Sequence, residues 1–338
     1  MDNSPTSTIN FDRAAPTPQK VEMPEPRDPK KVLFIVALAL SAAILLCFLS
    51  VIVLEIANRV GPSSSGPVTP ENGVDYVFEE YGKGAIHRGD LILVKEGYEY
   101  VFPNASETNL VTVLKNKNNA YSANGKAQLE ESVVKSFNEL MTDLKNETGF
   151  TGIYVNEGYR SYEKQESYFN NPAIKDEVAA GLSEHHTGLG MDLKVYKNDL
   201  MFELEHEPEI LRWLKENGYR RGFVDRYPDE KIQVTGIDHD WATSTPSTHI
   251  RYVGYAHAYY MTKNDLCLEE YLPLLSANYS YEGEHLTFAG DDGNAYEIYY
   301  VKAEGDKTAV PVPADYEYSV SGDNMGGFVV TVCFGKSN

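Results

Sequence analysis

Ser183-Glu184-His185-His186-Thr187-Gly188-Leu189-Gly190-Met191-Asp192-Leu193 is the most informative segment of the chain. It sets a histidine pair and an aspartate around two glycines. A turn at Gly188 delivers the chain from a loop bearing His185 into a strand bearing Asp192. Imidazole nitrogen and carboxylate oxygen both bind zinc at about 2.0–2.2 Å, so this segment offers two donors toward one point. A third would come from elsewhere, and His249, in Thr248-His249-Ile250-Arg251-Tyr252-Val253-Gly254, is the candidate. Spacing alone is a weak signal, since two histidines and an aspartate occur in most chains.

The rest of the composition narrows the class. A chain of 338 residues holds one sizeable domain with appendages, or two modest ones. The formal net charge of −20 excludes nucleic acid as a partner, because phosphate contacts need clustered Lys and Arg. Of the 3 cysteines, Cys47 lies in an apolar run, leaving Cys267 and Cys333 as a pair without a disulfide framework. No CxxC or Cys/His zinc-finger spacing exists, so any metal site must be built from histidine and carboxylate.

From Val32 to Leu54 the only polar residues are Ser41 and Ser50. This run exceeds the roughly 20 residues needed to span a bilayer core, and a long polar segment precedes it, unlike a cleaved signal peptide. Lys20, Arg27, Lys30 and Lys31 precede the run, while only Arg59 closely follows it. The positive-inside tendency therefore predicts a single-pass, membrane-anchored chain, with its N-terminus cytoplasmic and its C-terminal domain outside the cell membrane. Residues 1–31, rich in Pro, Ser and Thr, read as a disordered cytoplasmic tail, 32–54 as a transmembrane helix, and 55–84, with Gly61-Pro62-Ser63-Ser64-Ser65-Gly66-Pro67, as a tether.

Beyond the tether, Leu91-Ile92-Leu93-Val94 reads as a strand. Leu129, Val133, Phe137, Leu140, Met141 and Leu144 recur at helical spacing and predict an amphipathic helix over about 128–145. Ile153-Tyr154-Val155 predicts a short strand, Ser161 a helix cap, Glu209 to Asn217 a helix stopped by Gly218, and Leu266 to Leu275 another helix. From about 280 the pattern turns to short strands. A hairpin is predicted around Asp291-Asp292-Gly293-Asn294, and a further strand at Phe328-Val329-Val330-Thr331-Val332. This predicts a β-rich C-terminal module over 280–338, with extra strands packed on the main domain as the alternative.

Three motifs occur in the order of one family: Gly158-Tyr159-Arg160-Ser161-Tyr162-Glu163-Lys164-Gln165, the segment Ser183–Asp192, and His249-Ile250-Arg251-Tyr252-Val253-Gly254. Together with Trp213-Leu214-Lys215-Glu216-Asn217 and Arg226-Tyr227-Pro228, they resemble the zinc D-alanyl-D-alanine carboxypeptidases of vancomycin-resistance clusters, over roughly residues 85–280. The resemblance implies an α+β domain over 85–279 with a small central antiparallel sheet and flanking helices, as in hedgehog and D,D-peptidase domains. It implies a Zn2+ cofactor held by His185, Asp192 and His249. Arg160 would face the substrate and stabilise charge, with Ser161, Gln165 and Ser183 beside it. The implied reaction is removal of the terminal D-Ala from peptidoglycan stem peptides ending in D-Ala-D-Ala.

One family residue is missing. The family carries a general-base Glu three positions before its last zinc histidine, and here that position is Pro246. The segment from Gly236 to His249 is longer than the family's connection, and Trp241 is displaced from the histidine. Asp240, or secondarily Asp238, is the expected replacement base; Glu184 belongs to the ordinary motif and has no such role there. General-base assistance is typically worth 10²–10⁴-fold, so without a substitute the alternative is a catalytically impaired peptidoglycan-binding protein that keeps its zinc site. The remaining histidines, His87, His186, His206, His239, His257 and His285, read as ordinary. A surface ion pair is the competing reading of Arg160.

Overall fold

The computed structural model describes residues 73–174, 178–236 and 248–336. The cytoplasmic tail and transmembrane helix expected over 1–31 and 32–54 lie outside them, as do Asp238, His239, Asp240, Trp241 and Pro246. Among the described residues no helix is long and apolar enough to cross a membrane.

Fourteen strands are described: β1 (Tyr76–Gly82), β2 (Leu110–Thr112), β3 (Ser122–Ala123), β4 (Gln128–Glu130), β5 (Ile153–Glu157), β6 (Gly190–Lys197), β7 (Leu200–Phe202), β8 (Phe223–Asp225), β9 (His249–Tyr252), β10 (Leu286–Ala289), β11 (Asn294–Lys302), β12 (Lys307–Pro313), β13 (Glu317–Gly322) and β14 (Gly327–Lys336). The longer helices are α1 (Glu131–Thr148), α2 (Tyr162–Phe169), α3 (Pro208–Asn217), α4 (Tyr255–Lys263) and α5 (Leu268–Asn278).

The central sheet runs β3-β5-β6-β9-β8, with β7 paired to β6. It is antiparallel except at the two-residue edge strand β3, which runs parallel to β5. Side chains alternate across a strand, so Met191, Leu193 and Val195 of β6 point to one face and Asp192 to the other. The apolar face meets the stripe of α1, where Val133, Val134, Phe137, Leu140, Met141 and Leu144 are all buried. Each such side chain contributes about 1.5–3 kcal/mol by leaving water. Gly149, in the left-handed conformation at φ 74°, ends that helix and returns its N–H to the Lys145 carbonyl.

Local expectations and structure differ in three places. Leu91–Val94 is fully buried but forms no strand. Its backbone is satisfied elsewhere: Leu91 N–H donates to Ser321 Oγ (2.9 Å), Leu93 N–H to the Asp323 carbonyl (3.0 Å), and the Ile92 carbonyl accepts from Arg251. The segment assigned to the tether ends in β1, which pairs with β12 from Tyr76↔Pro313 to Gly82↔Lys307. As expected, α3 ends at Asn217 with Gly218 as its cap, and a separate 3₁₀ turn over Gly218–Arg221 follows, closed by Gly222 at φ 83°. The helix expected over 266–275 starts at Leu268 and runs to Asn278.

The C-terminal strands form a sheet in the order β10-β11-β14-β13, and the hairpin at Asp291–Asn294 joins β10 to β11. This sheet shares its core with α4 and α5. Leu286, Phe288, Ile298 and Val329 pack with Tyr260, Tyr271, Leu272 and Leu275, and with Leu91 and Leu93. The strand-rich segment is therefore built onto the helices that follow the central sheet, because its apolar face has that surface to cover. Cys267 and Cys333 are free thiols.

Candidate metal centre

Sheet register assembles the site. Asp192 of β6 stands opposite His249 of β9, and Glu157 of β5 stands opposite Asp192 on its other side. The β5–β6 ladder shifts register between Val155 and Glu157, and this bulge brings Glu157 level with Asp192. Three adjacent strands thus set Glu157, Asp192 and His249 in one row. His185 arrives from the 3₁₀ turn Glu184–Thr187, which closes on Gly188 at φ 70°. Gly190 is required by proximity: a Cβ there would lie 2.6 Å from His249 Nε2.

His185, Asp192 and His249 are all buried, with one donor atom from each lying within 4.8 Å of the others. His185 Nε2 is 3.3 Å from Asp192 Oδ2, and His249 Nδ1 is 2.7 Å from Asp192 Oδ1. The opposite ring nitrogens are committed outward: His185 Nδ1 lies 2.7 Å from the Gly158 carbonyl, and His249 Nε2 lies 3.1 Å from Glu184 Oε2. Anchoring one ring nitrogen on an acceptor turns the other toward a metal. The donor set, two imidazoles and a carboxylate without sulfur, suits zinc.

The electrostatics agree. Burial opposes ionisation of Asp192, yet His185 and the bond from His249 hold its carboxyl well below the usual range. Burial pushes His185 down, toward the neutral ligand form. Burial also disfavours a charged His249, but Asp192 and Glu184 outweigh it and raise the ring to about 9. A metal ion at this ring would take the place of a proton.

Arg160 is buried and not a surface ion pair. Its guanidinium lies 2.8 Å from Glu157 Oε2 and 3.6 Å from Asp192 Oδ2, and donates to Gln165 Oε1 at 3.2 Å. Gln165, fully buried on α2, donates in turn to the Val178 carbonyl. Ser161 caps α2, its Oγ accepting the Lys164 N–H at 3.2 Å. Ser183 is buried at the start of the His185 turn, its carbonyl accepting the His186 N–H at 3.2 Å. His186 packs locally, with Nδ1 2.7 Å from the Arg160 carbonyl and its ring against Tyr100 and Phe102.

Glu157, Arg226, Tyr227 and Arg251 join the site without a role having been expected for them from the sequence. Arg226 and Arg251 are buried and both donate to Glu184 Oε1, at 2.7 and 2.6 Å. Tyr227 stacks on the His249 ring at 5.5 Å. The one signal in the sequence, left unread, was Arg251 between Ile250 and Tyr252 of β9, since a cation there needs a buried carboxylate; Arg226, just past β8, gave none.

Two imidazoles and a carboxylate converging on one sheet face, beside a buried guanidinium, define a metallohydrolase type of centre on a mixed α/β domain. Residues 126–255 match the family model VanY, D-alanyl-D-alanine carboxypeptidase. A D-alanyl-D-alanine carboxypeptidase of Enterococcus faecium is 28% identical over 257 residues, which cover 75% of this chain and 78% of that protein. Another, from Enterococcus faecalis strain ATCC 700802 / V583, is 31% identical over 47% of this chain and 65% of its own length. The vancomycin-resistance D,D-dipeptidase VanXYg, solved in complex with a D-Ala-D-Ala phosphinate analogue, superposes with a TM-score of 0.62 at 28% identity, covering 77% of this chain and 99% of that one. Residues 126–255 thus carry a D-alanyl-D-alanine carboxypeptidase domain of the VanY type, and the similarity to these relatives supports a carboxypeptidase enzyme.

Proposed function

We propose that this chain is a zinc-dependent D,D-carboxypeptidase that removes the terminal D-Ala from peptidoglycan stem peptides ending in D-Ala-D-Ala. The observation that carries the reading is the buried His185–Asp192–His249 donor set with Arg160 beside it. When bound, zinc supplies Lewis-acid polarisation of the scissile carbonyl and acidifies the attacking water. His185, Asp192 and His249 would hold the metal. Arg160, fixed by Glu157 and Gln165, places a cation where negative charge develops on the carbonyl oxygen. Glu184 is not placed to act as general base, because its Oε1 accepts from Arg226 and Arg251 while its Oε2 faces the outward Nε2 of His249. Asp240 is assigned the proton from the attacking water.

The test is release of D-Ala by the full-length chain from a pentapeptide ending in D-Ala-D-Ala, with a D-Ala-L-Ala peptide as control. Selective release supports the reading. A zinc-loaded chain that binds the peptide without cleaving it supports instead the binding protein that Pro246, at the family's glutamate position, favours.

The substrate's location fits a membrane-anchored chain with its N-terminus cytoplasmic and its catalytic domain outside, which the apolar run 32–54 supports. Protease added to intact cells is expected to remove the outer domain and spare an N-terminal tag. A mature protein found to begin after residue 54 would instead mean a cleaved leader.

A further inference from the structure

Glu184 sits beside a proposed metal ligand yet is withheld from the chemistry. Its Oε1 accepts from Arg226 Nε and Arg251 NH1, while Oε2 faces His249 Nε2 at 3.1 Å. Both arginines are anchored further out. Arg226 makes a two-pronged contact with Glu269 of α5, at 2.9 and 2.8 Å. Arg251 donates to the Asp90 and Ile92 carbonyls, at 2.9 and 3.2 Å. Glu269 and Asp90–Ile92 lie outside residues 126–255, so groups beyond the matched family segment brace the centre.

A carboxylate flanked by two guanidiniums offers acceptors only, so a ring nitrogen facing it carries the hydrogen. From this geometry we infer that Glu184 is a positioning residue that fixes the Nε2–H tautomer of His249 and reserves Nδ1 for the metal. The arginines set the orientation of Glu184, since both occupy Oε1 and turn Oε2 toward the imidazole. Tyr227, stacked on the ring, limits its rotation. His185 is set in the opposite sense by the Gly158 carbonyl, with Nδ1 outward and Nε2 toward Asp192. The two imidazoles therefore offer different nitrogens.

This inference rests on the zinc reading above, and its test separates the two. Full-length protein labelled with ¹⁵N-histidine and loaded with ¹¹³Cd is expected to show metal coupling at His249 Nδ1 and His185 Nε2. Coupling at His249 Nε2 overturns the inference and leaves the metal reading standing, whereas absence of metal uptake sinks both. In parallel, Glu184→Gln presents an amide N–H in place of an acceptor or forfeits an arginine bond. Its zinc affinity, measured by chelator competition, should fall roughly 10–100-fold. Glu269→Gln disturbs the same buried network without touching His249, and should stay within about threefold of wild type, since distant substitutions couple weakly. Wild-type affinity in Glu184→Gln, or equal losses in both variants, contradicts a positioning role. Should Glu184→Gln fail to fold, the cadmium coupling in the wild-type chain decides alone.

Discussion

His185→Ala in the full-length chain is expected to abolish stoichiometric zinc binding and D-Ala release together. His185 supplies a donor that faces Asp192 at 3.3 Å, and its other nitrogen is already committed to the Gly158 carbonyl. Alanine removes both contacts and leaves Asp192 and His249 as the remaining proposed ligands. The loss in affinity should exceed the roughly 10–100-fold that follows removal of an outer partner. The fold should survive, because the sheet and the α1 core do not depend on that side chain. Metal analysis by mass spectrometry checks the first effect, and one zinc per chain in the variant would remove His185 from the ligand set.

Asp240→Ala carries the second large effect. If Asp240 takes the proton that the family's glutamate takes elsewhere, the substitution lowers kcat about 10²-fold or more. Zinc content and peptide binding remain, since Asp240 is not among the proposed ligands. An effect confined to kcat separates proton transfer from binding. Pro246→Glu then tests whether the family's own position regains the role. Wild-type turnover well above the His185→Ala background, and untouched by replacing Asp238 or Asp240, would contradict a carboxylate base from this segment.

What the sequence disclosed follows from the range of the interactions involved. The α1 stripe was legible because helical periodicity is local, and six side chains repeat one face. The turn at Gly188 was legible for the same reason, since two glycines between His185 and Asp192 announce a change of direction. The alignment of Asp192 with His249 came from resemblance, because strand register joins residues distant in the chain. Glu157 was missed since its place in the row depends on a bulge, which a short strand does not announce. Leu91–Val94 was misread because a short apolar run is consistent with a buried strand and with any buried segment whose backbone finds other partners. β1 escaped notice because Val77, Phe78 and the glutamates beside them are largely exposed, so no buried face marks the strand. Arg226 and Arg251 carry charges that read as surface residues until Glu184 appears between them.

X-ray absorption at the zinc edge of the purified full-length chain probes the His185–Asp192–His249 donor set itself. About one zinc per chain is expected, with two imidazole ligands, further oxygen or nitrogen donors at about 2.0–2.2 Å and no sulfur. A chain that binds no zinc, or zinc coordinated through Cys267 or Cys333, would contradict it.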